Sequence, residues 1–515
     1  MSVEVSRPAS EDGERRDAEI DVRIAEVRRE LAELFALRRE EAIASSRLKW
    51  STESQIDDGK DPDSQPLQRR SQLRRWLHTG RLALRHLLRS PASVFADVER
   101  FFARRQHQHG QWTAAAGRVA VEDRLQYVWP LNVEVRPGLA PTLNVLLPSL
   151  RKQDLTGGPN TALNLTFRLA ARGVPVRYIA TDQELDADDN YLRAHLRSVS
   201  GMDAPVENVE FRSGRDRGRP LVLGSDDVLC GTAWWTVQMI KEIQPQLHSR
   251  RFFYLIQDYE PAMYAWSTRQ ALALETYSLD YYGIICGRLL ADFLAKEHVG
   301  RFAEPGFSDQ CVTFEPAVDP RRFFPRFEEQ AARKKRLLFY ARPQAPRNLF
   351  EMGLVALKLA VAQGAFSPTE WEIDFIGGDL PAADLGRGVV IKPIAWCDYD
   401  AYPRLLQTAD VGLSLMLSPH TSYPPLEMAA CGATVVTNTF AVKTAERLRR
   451  ISPNLLPVEP RVEDIAAGLC AAAARADQLP ERFAGTVLDV PQGWNAAFDP
   501  VVPRLLEMWN ACRGR

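Results

Sequence analysis

The sequence predicts an α/β protein with two doubly wound parallel-sheet domains that face a cleft, preceded by a helical extension. Apolar strand-like runs alternate with helical segments from Leu143 onward. A polar, charged segment at 319–335 interrupts this alternation, and a second series of the same kind follows it. Strand–helix alternation is typical of parallel sheets with right-handed crossovers. Two such domains in tandem imply a ligand cleft where the carboxyl ends of both sheets meet.

The bulk composition is that of an ordinary soluble globular protein, with 45% hydrophobic and 25% charged residues. The formal net charge of -1 gives no overall field that would attract nucleic acid, so we expect no nucleic-acid partner. Seven scattered cysteines without a C-x-x-C pair indicate free thiols in a reducing compartment. The chain shows neither an apolar signal region nor a run of about 18 apolar residues, so we expect a cytoplasmic protein.

The predicted extension, residues 1–115, is helical and partly disordered. An apolar stripe from Ile20 to Leu34 predicts a surface helix, and a Ser-, Asp- and Pro-containing linker follows at 51–68. Residues 69–90 then combine leucines and a tryptophan with seven arginines and no acid, which is typical of a basic amphipathic helix. Two interpretations stay open: contact with the anionic inner face of the cytoplasmic membrane, or docking on the catalytic body or a partner protein.

The first predicted domain covers residues 116–320. A buried strand at 143–150 precedes Gly157, Gly158 and Pro159, and Pro159 is expected to open a helix. Asp258 follows a later strand, at the edge that faces the cleft. Its carboxylate is expected to orient an acceptor hydroxyl or to accept its proton, with a capping role as the alternative.

The second predicted domain covers residues 321–515 and carries two arginines directly after its first strand. Arg342 and Arg347 lie five residues apart, so the strand end aims both guanidinium groups into the cleft. Two fixed cations match the roughly two charges of a nucleotide diphosphate and would stabilise it as it leaves. Lys392, near the end of another strand, is predicted to add a third charge. The alternative is that these side chains only solvate the surface.

The segment 419–437, PHTSYPPLEMAACGATVVT, predicts a phosphate-binding helix start at Pro424 or Pro425. Three amides lie near the positive end of this helix: those of Thr421, Ser422 and Tyr423. Glu427 lies one turn inside the helix, where its carboxylate is expected to accept a hydrogen bond from a ribose or sugar hydroxyl. An acid in a first helical turn is also a routine stabiliser of the helix.

With these residues in view, FYARPQAPRNLFEMGLVAL and the block 389–437 resemble the retaining family 4 glycosyltransferases of the GT-B fold. Arg342 and Arg347 match an Arg and a Lys of that family. Glu427 matches the second of its paired glutamates, for which the resemblance implies contact with the nucleotide ribose. Pro419 stands at the first glutamate position, so the usual sugar-hydroxyl contact is missing and His420 is predicted to replace it.

TAWWT (232–236) and IQDYEPAMY (256–264) make the chain similar to WsaF-type bacterial rhamnosyltransferases. That resemblance implies a dTDP-L-rhamnose donor and a surface-polysaccharide acceptor. In one interpretation, this acceptor is linked to a lipid. It also implies retention of configuration without a protein nucleophile or a required metal. Gly157 and Gly158 look like the family's glycine loop, which lets ligand oxygens approach backbone amides.

Three alternatives stay open. The same fold accepts other donors, such as GDP-mannose or a UDP-sugar. Pro419 in place of an acid is compatible with a catalytically decayed glycan-binding or scaffold protein. The basic helix is compatible with a membrane-tethered adaptor.

Overall fold

The computed structural model describes residues 128–185, 188–326, 333–378, 380–395, 397 and 400–513. These residues belong to one structural unit of the chain, residues 122–515. The predicted extension, residues 1–115 with its basic segment 69–90, lies outside the described residues. Among the described helices, none is long and apolar enough to cross a membrane.

The first domain is built on a seven-stranded parallel sheet in which every central strand is buried. The sheet order is β4-β3-β2-β6-β7-β8-β9, and β1 pairs separately with β5. The strands are β1 (Val133–Arg136), β2 (Leu143–Leu147), β3 (Val176–Ala180), β4 (Val209–Ser213), β5 (Leu221–Gly224), β6 (Val228–Gly231), β7 (Phe252–Ile256), β8 (Tyr281–Cys286) and β9 (Cys311–Phe314). The helices are α1 (Gly157–Ala170), α2 (Asp189–Ser200), α3 (Trp234–Ile243), α4 (Thr268–Glu275) and α5 (Arg288–Lys296).

The second domain repeats this plan with a second seven-stranded sheet, in which only β12 runs antiparallel to its neighbour. The sheet order is β12-β13-β11-β10-β14-β15-β16. The strands are β10 (Lys335–Tyr340), β11 (Trp371–Ile376), β12 (Ala383–Gly386), β13 (Val389–Pro393), β14 (Val411–Leu413), β15 (Thr434–Asn438) and β16 (Leu455–Val458). The helices are α6 (Phe350–Ala362), α7 (Ala401–Leu406), α8 (Tyr423–Ala430), α9 (Ala445–Ile451), α10 (Val462–Arg475) and α11 (Leu479–Ala484). The predicted pair of doubly wound domains is confirmed.

Both sheets reverse their strand order at an equivalent place. The order changes direction between β2 and β6 in the first domain and between β10 and β14 in the second. In open α/β sheets, ligands bind beyond the carboxyl ends of the strands at such a switch point. We therefore expect the loops after β2, β6, β10 and β14 to bind the ligand.

The last two helices, α12 (Trp494–Phe498) and α13 (Val502–Cys512), pack on the first domain. The sequence assigns them by position to the second domain, residues 321–515. Phe498 is fully buried, with ring centroids 5.0 Å from Phe314 and 5.2 Å from Trp494. The boundary differs because α1 and the first sheet leave an apolar face that these helices cover.

The chain passes between the domains twice, and the two passages are hydrogen-bonded to each other. The Val318 amide donates to the Pro491 carbonyl over 3.2 Å, and the Gly493 amide donates to the Val318 carbonyl over 2.9 Å. The two linker segments therefore lie side by side between the domains.

In the second domain, the residues just before two helices have a positive φ although they are not glycine. Leu349 precedes α6 with φ 51°, and Ser422 precedes α8 with φ 68°. Such conformations cost roughly 1–3 kcal/mol each and cluster at functional sites. Helix α8 begins at Tyr423 rather than at a proline, and α1 begins at Gly157, two residues before Pro159.

We expect Phe498→Ala to destabilise the protein by about 3–5 kcal/mol. It leaves a cavity where α12 and α13, the closing helices, meet the first domain. The urea-unfolding midpoint measures this. Phe483→Ala is the matched control, since Phe483 is 61% exposed and its loss should change stability by less than about 0.5 kcal/mol. Equal midpoints for the two variants would show that the closing helices do not dock there.

Candidate active site

An ion pair joins the two sheets at their carboxyl ends. Asp258, in the loop after β7, places Oδ2 3.3 Å from Nε of Arg347, in the loop after β10. Its other oxygen, Oδ1, accepts hydrogen bonds from the hydroxyl of Ser418 and from the amide of Tyr259, the latter over 2.8 Å. Ser418 follows β14. Two of the three predicted catalytic residues therefore meet across the domains.

The loop that carries Arg347 is fastened to the loop after β14. The Leu417 amide donates to the Arg347 carbonyl over 2.7 Å, and the Asn348 side chain donates to the Leu415 carbonyl over 3.1 Å. These bonds fix the backbone of Arg347 beside Ser418. The Arg347 side chain is 27% exposed, although its Nε is buried, so part of the side chain stays accessible.

Two further polar contacts cross between the domains. The hydroxyls of Thr161 on α1 and Tyr423 on α8 lie 3.1 Å apart. Sγ of Cys286, the last residue of β8, lies 3.4 Å from Nε2 of His420. Both contacts are at least partly buried. Because they join residues of the two domains near the carboxyl ends of the strands, these ends face each other, as the sequence predicts.

His420 is held as a buried, neutral imidazole. Its Nδ1 accepts a hydrogen bond from the Ser422 amide over 2.9 Å, while Nε2 faces Cys286. Burial lowers the pKa of His420 to about 4, against the opposing effect of the Asp258 charge. Both ring nitrogens have protein partners, so in this conformation His420 offers no free group to a sugar hydroxyl. The predicted contact between His420 and a sugar hydroxyl would require its ring to leave one of these partners, and it stays a prediction.

The start of α8 retains part of the predicted phosphate cradle. The Ser422 amide is already used by His420, and Pro424 and Pro425 have no N–H. Within the part of the chain that the structure describes, the amides of Thr421 and Tyr423 have no acceptor. Two of the three predicted amides are thus available to an anion.

Glu427 lies one turn into α8 and is partly buried. Burial raises the pKa of its carboxyl to about 7, and a hydrogen bond from Tyr402 opposes that rise. A carboxyl group in this state is suited to hydrogen bonding with a neutral hydroxyl, in keeping with its predicted contact with a ribose.

Arg342 and Lys392 occupy different surroundings. Arg342 is exposed at the start of the loop after β10 and, among the described residues, pairs with no acid. Lys392 is exposed on β13, where its position in the sheet matches Asp374 on β11. Its charge lowers the pKa of Glu372, although less than the Arg336 hydrogen bond does. Both side chains are exposed, and a shared role for Lys392 and the two arginines stays a prediction.

Gly157 and Gly158 open α1 with no positive φ, so the backbone alone does not require glycine. A Cβ on Gly157 would meet no atom within 4 Å, whereas one on Gly158 would lie 3.4 Å from the Gln257 side chain. Open space beside the first amides of a helix is compatible with the predicted close approach of ligand oxygens.

The two sequence motifs of the first domain, TAWWT (232–236) and IQDYEPAMY (256–264), are hydrogen-bonded to each other. Glu260 accepts a hydrogen bond from the Trp234 amide over 2.6 Å and thereby caps α3. The Trp234 indole donates to the Tyr264 hydroxyl over 2.9 Å. Burial raises the pKa of Glu260 to about 8. These bonds anchor the loop that presents Asp258.

The aromatic residues of this loop divide between core and surface. Tyr259 is partly buried and packs against Tyr277 and Phe293 at the edge of the core. Trp266, by contrast, is 95% exposed. Among the described residues, no group of three or more His, Cys, Asp or Glu side chains could hold a metal ion.

Sequence reasoning missed Lys443, which follows β15 and is 1% exposed. Its Nζ donates to the Met416 carbonyl over 2.9 Å, next to the loop of Ser418 and His420. No signal in the sequence marks this lysine, because its position depends on β15 pairing with β14.

The buried His420 predicts a specific loss of stability in acid. Its folded-state pKa of about 4 lies below the ordinary 6.5, so between these values the unfolded state binds the proton first. This contribution is intact above pH 6.5 and is lost as the pH falls towards 4. Thermal melting of wild type and His420→Asn at pH 7.5 and 5 measures it. The wild-type midpoint should fall further than that of the variant, and equal falls would contradict a buried neutral imidazole.

Comparison with known proteins identifies the family of the chain. The model of the WsaF N-terminal domain matches residues 142–286, and that of the WsaF C-terminal domain matches residues 335–470. The O-antigen biosynthesis protein RfbC of Myxococcus xanthus is 31% identical over 290 residues, which are 55% of this chain and 21% of that protein. The chain thus spans about a fifth of this curated relative.

One solved structure shares the fold at a TM-score of 0.50, and another aligns less well. HepE of Anabaena, in complex with UDP and glucose, aligns with a TM-score of 0.50 at 13% identity, over 72% of this chain and 100% of that one. Sucrose-phosphate synthase of Thermosynechococcus elongatus aligns with a TM-score of 0.48 at 14% identity, with the same coverage of both chains. Because the two WsaF domain models together match more than half of the 515 residues, the chain belongs to the WsaF family, and it has the GT-B fold.

Proposed function

We propose that the protein transfers L-rhamnose from dTDP-L-rhamnose to a hydroxyl of a growing bacterial surface polysaccharide, with retention of anomeric configuration. The observation that carries this proposal is the facing pair of Arg347 and Asp258. It sets a cation for the leaving diphosphate opposite a carboxylate for the acceptor. The similarity to an O-antigen biosynthesis protein supports a polysaccharide acceptor, and the rhamnose donor is proposed from the resemblance to WsaF-type rhamnosyltransferases.

In this proposal the diphosphate lies between Arg342, Arg347 and the free amides at the start of α8. The acceptor oxygen bonds to the anomeric carbon on the same face from which the diphosphate leaves, as retention requires, and the electron pair of the broken C–O bond stays with the diphosphate. The acceptor proton passes to the Asp258 carboxylate. The protein contributes mainly by stabilising the charge that develops on the diphosphate, through side chains and amides rather than through a metal ion.

A UDP-sugar is the second candidate donor. HepE, whose fold this chain shares, is seen in complex with UDP and glucose. The acceptor is proposed to be a lipid-linked glycan, and the basic segment 69–90 is proposed to bring the enzyme to the inner face of the cytoplasmic membrane.

A donor screen decides between these candidates. The purified protein is incubated with an acceptor glycan and with dTDP-L-rhamnose, a UDP-sugar or GDP-mannose, and products are detected by mass spectrometry. We expect a mass increase of one deoxyhexose with dTDP-L-rhamnose alone. A hexose added from UDP-glucose would overturn the rhamnose assignment and keep the enzyme class. No product from any donor would favour a decayed glycan-binding protein.

Substitution of the cleft residues tests their roles. Arg342→Ala and Arg347→Ala should each lower kcat/KM by about 10²-fold, because each removes a donor to the developing charge. Glu427→Gln should mainly raise KM for the nucleotide sugar, since it alters a ribose contact made equally in ground and transition states. Arg404→Ala, on the exposed surface of α7, is the matched control and should leave turnover unchanged. Equal turnover in all four variants and wild type would reject the proposed site.

A further inference from the structure

A tyrosine side chain crosses between the domains beside the proposed diphosphate site. Tyr423 is the first residue of α8, and its amide belongs to the proposed diphosphate cradle. Its hydroxyl lies 3.1 Å from the hydroxyl of Thr161, a fully buried residue of α1. Cys286, at the end of β8, is a second neighbour of the Tyr423 hydroxyl. Tyr423 therefore has its backbone in the second domain and its polar tip among residues of the first.

The bond between the two hydroxyls continues to the start of α1. The Thr161 hydroxyl donates to the Gly157 carbonyl, one turn back along the helix, over 3.0 Å. A hydroxyl has one proton to donate, so in this arrangement Tyr423 donates to Thr161. Gly157 is the first residue of α1 and part of the predicted glycine loop. The two bonds therefore run in series from the start of α8 in one domain to the start of α1 in the other.

The ring of Tyr423 also contacts a residue that packs on the first domain. Its centroid lies 6.2 Å from that of Trp494, the first residue of α12, and 6.1 Å from that of His420. Trp494 packs against the core of the first domain and directly follows Gly493, where the chain passes between the domains. Opening of the cleft would therefore separate Tyr423 from both Thr161 and Trp494.

Ring packing alone does not require the hydroxyl of Tyr423, because a phenylalanine has the same ring. The hydroxyl adds a directional bond that exists only while the two domains touch. The net contribution of one such bond is modest, so it can form as a ligand closes the cleft and break as the product leaves. This reversibility suits a contact that marks the closed arrangement of the domains.

We propose that Tyr423 and Thr161 are positioning residues for the donor: the bond between their hydroxyls, here called the latch, joins the domains and sets the start of α8 against the start of α1. The nucleotide sugar then binds and reacts in the latched arrangement, from which water is excluded. This inference rests on the proposed function, because that function places the diphosphate at the start of α8. The two hydroxyls themselves touch no substrate.

Two variants remove the hydroxyls of the latch and keep the shape of the side chains: Tyr423→Phe and Thr161→Val. The matched control is Tyr178→Phe. The hydroxyls of Tyr178 on β3 and Thr166 on α1 lie 3.0 Å apart, so this pair reaches the same helix but stays within the first domain. Because Tyr178 is fully buried, the control should lower the melting temperature and leave donor binding and transfer unchanged.

The first readout is nucleotide affinity, measured by calorimetry with whichever of dTDP, UDP and GDP wild type binds. Tyr423→Phe should bind it about 3- to 10-fold more weakly, the contribution of one hydrogen bond, because the latched state is less populated. Thr161→Val should show a smaller loss, since the Tyr423 hydroxyl keeps Cys286 as a neighbour. The double variant should lose no more than Tyr423→Phe, because both substitutions break the same bond.

The second readout is the ratio of hydrolysed to transferred donor. It is measured by mass spectrometry with whichever of dTDP-L-rhamnose, UDP-glucose and GDP-mannose wild type uses. In Tyr423→Phe this ratio should rise by a factor similar to the loss of affinity, because an unlatched cleft admits water. A merely structural hydroxyl would lower stability without changing this ratio.

The outcomes separate this inference from the proposed function. Wild-type affinity and hydrolysis ratio in Tyr423→Phe would overturn the latch, as would additive losses in the double variant or equal changes in Tyr178→Phe. If Tyr423→Phe does not fold, Thr161→Val decides by the same two readouts. If wild type binds none of the three nucleotides and transfers no sugar, the proposed function itself fails. Sugar transfer by wild type with unchanged variants would keep that function and reject the latch.

Discussion

The ion pair between Asp258 and Arg347 is the contact around which the site is organised. It joins the loop after β7 of one sheet to the loop after β10 of the other. Partly exposed pairs of this kind add little to stability, so its importance lies in what the two groups do. The guanidinium is the cation that a diphosphate would take, and the carboxylate is then left for the acceptor. In the proposed reaction, this one contact links recognition of the donor to activation of the acceptor.

The rest of the fold keeps these two loops within reach of each other. The Thr161–Tyr423 and Cys286–His420 contacts line the same seam, and the closing helices return from the second domain to cover the first. The paired passages at Val318 and Gly493 connect the domains at a single place. Such an arrangement suits domain closure over a donor, which excludes water from the reacting centre.

Much of this site follows from sequence because strand ends can be located from apolar runs. Arg342, Arg347 and Asp258 each come directly after such a run, so their place at the carboxyl edge of a sheet is predictable. Lys392 shows the limit of that reasoning. Its place along β13 depends on the register with β11, which apolar patterning does not specify. That register sets Lys392 beside two acidic residues of β11, Glu372 and Asp374.

Other features depend on tertiary contacts that no local pattern encodes. Lys443 reaches the site only because β15 lies next to β14. His420 turns inward because the Ser422 amide and Cys286 satisfy its ring nitrogens. The positive φ angles of Leu349 and Ser422 are imposed by packing at the two helix starts, since neither residue type favours them.

A structure of the protein with a bound nucleoside diphosphate would show whether the ion pair opens to admit the donor. We expect the phosphates to lie within hydrogen-bond distance of Arg342 and Arg347, and the Asp258–Arg347 distance to grow beyond 4 Å, roughly the limit of an ion pair. A nucleotide bound away from both arginines, with this ion pair intact, would contradict this expectation.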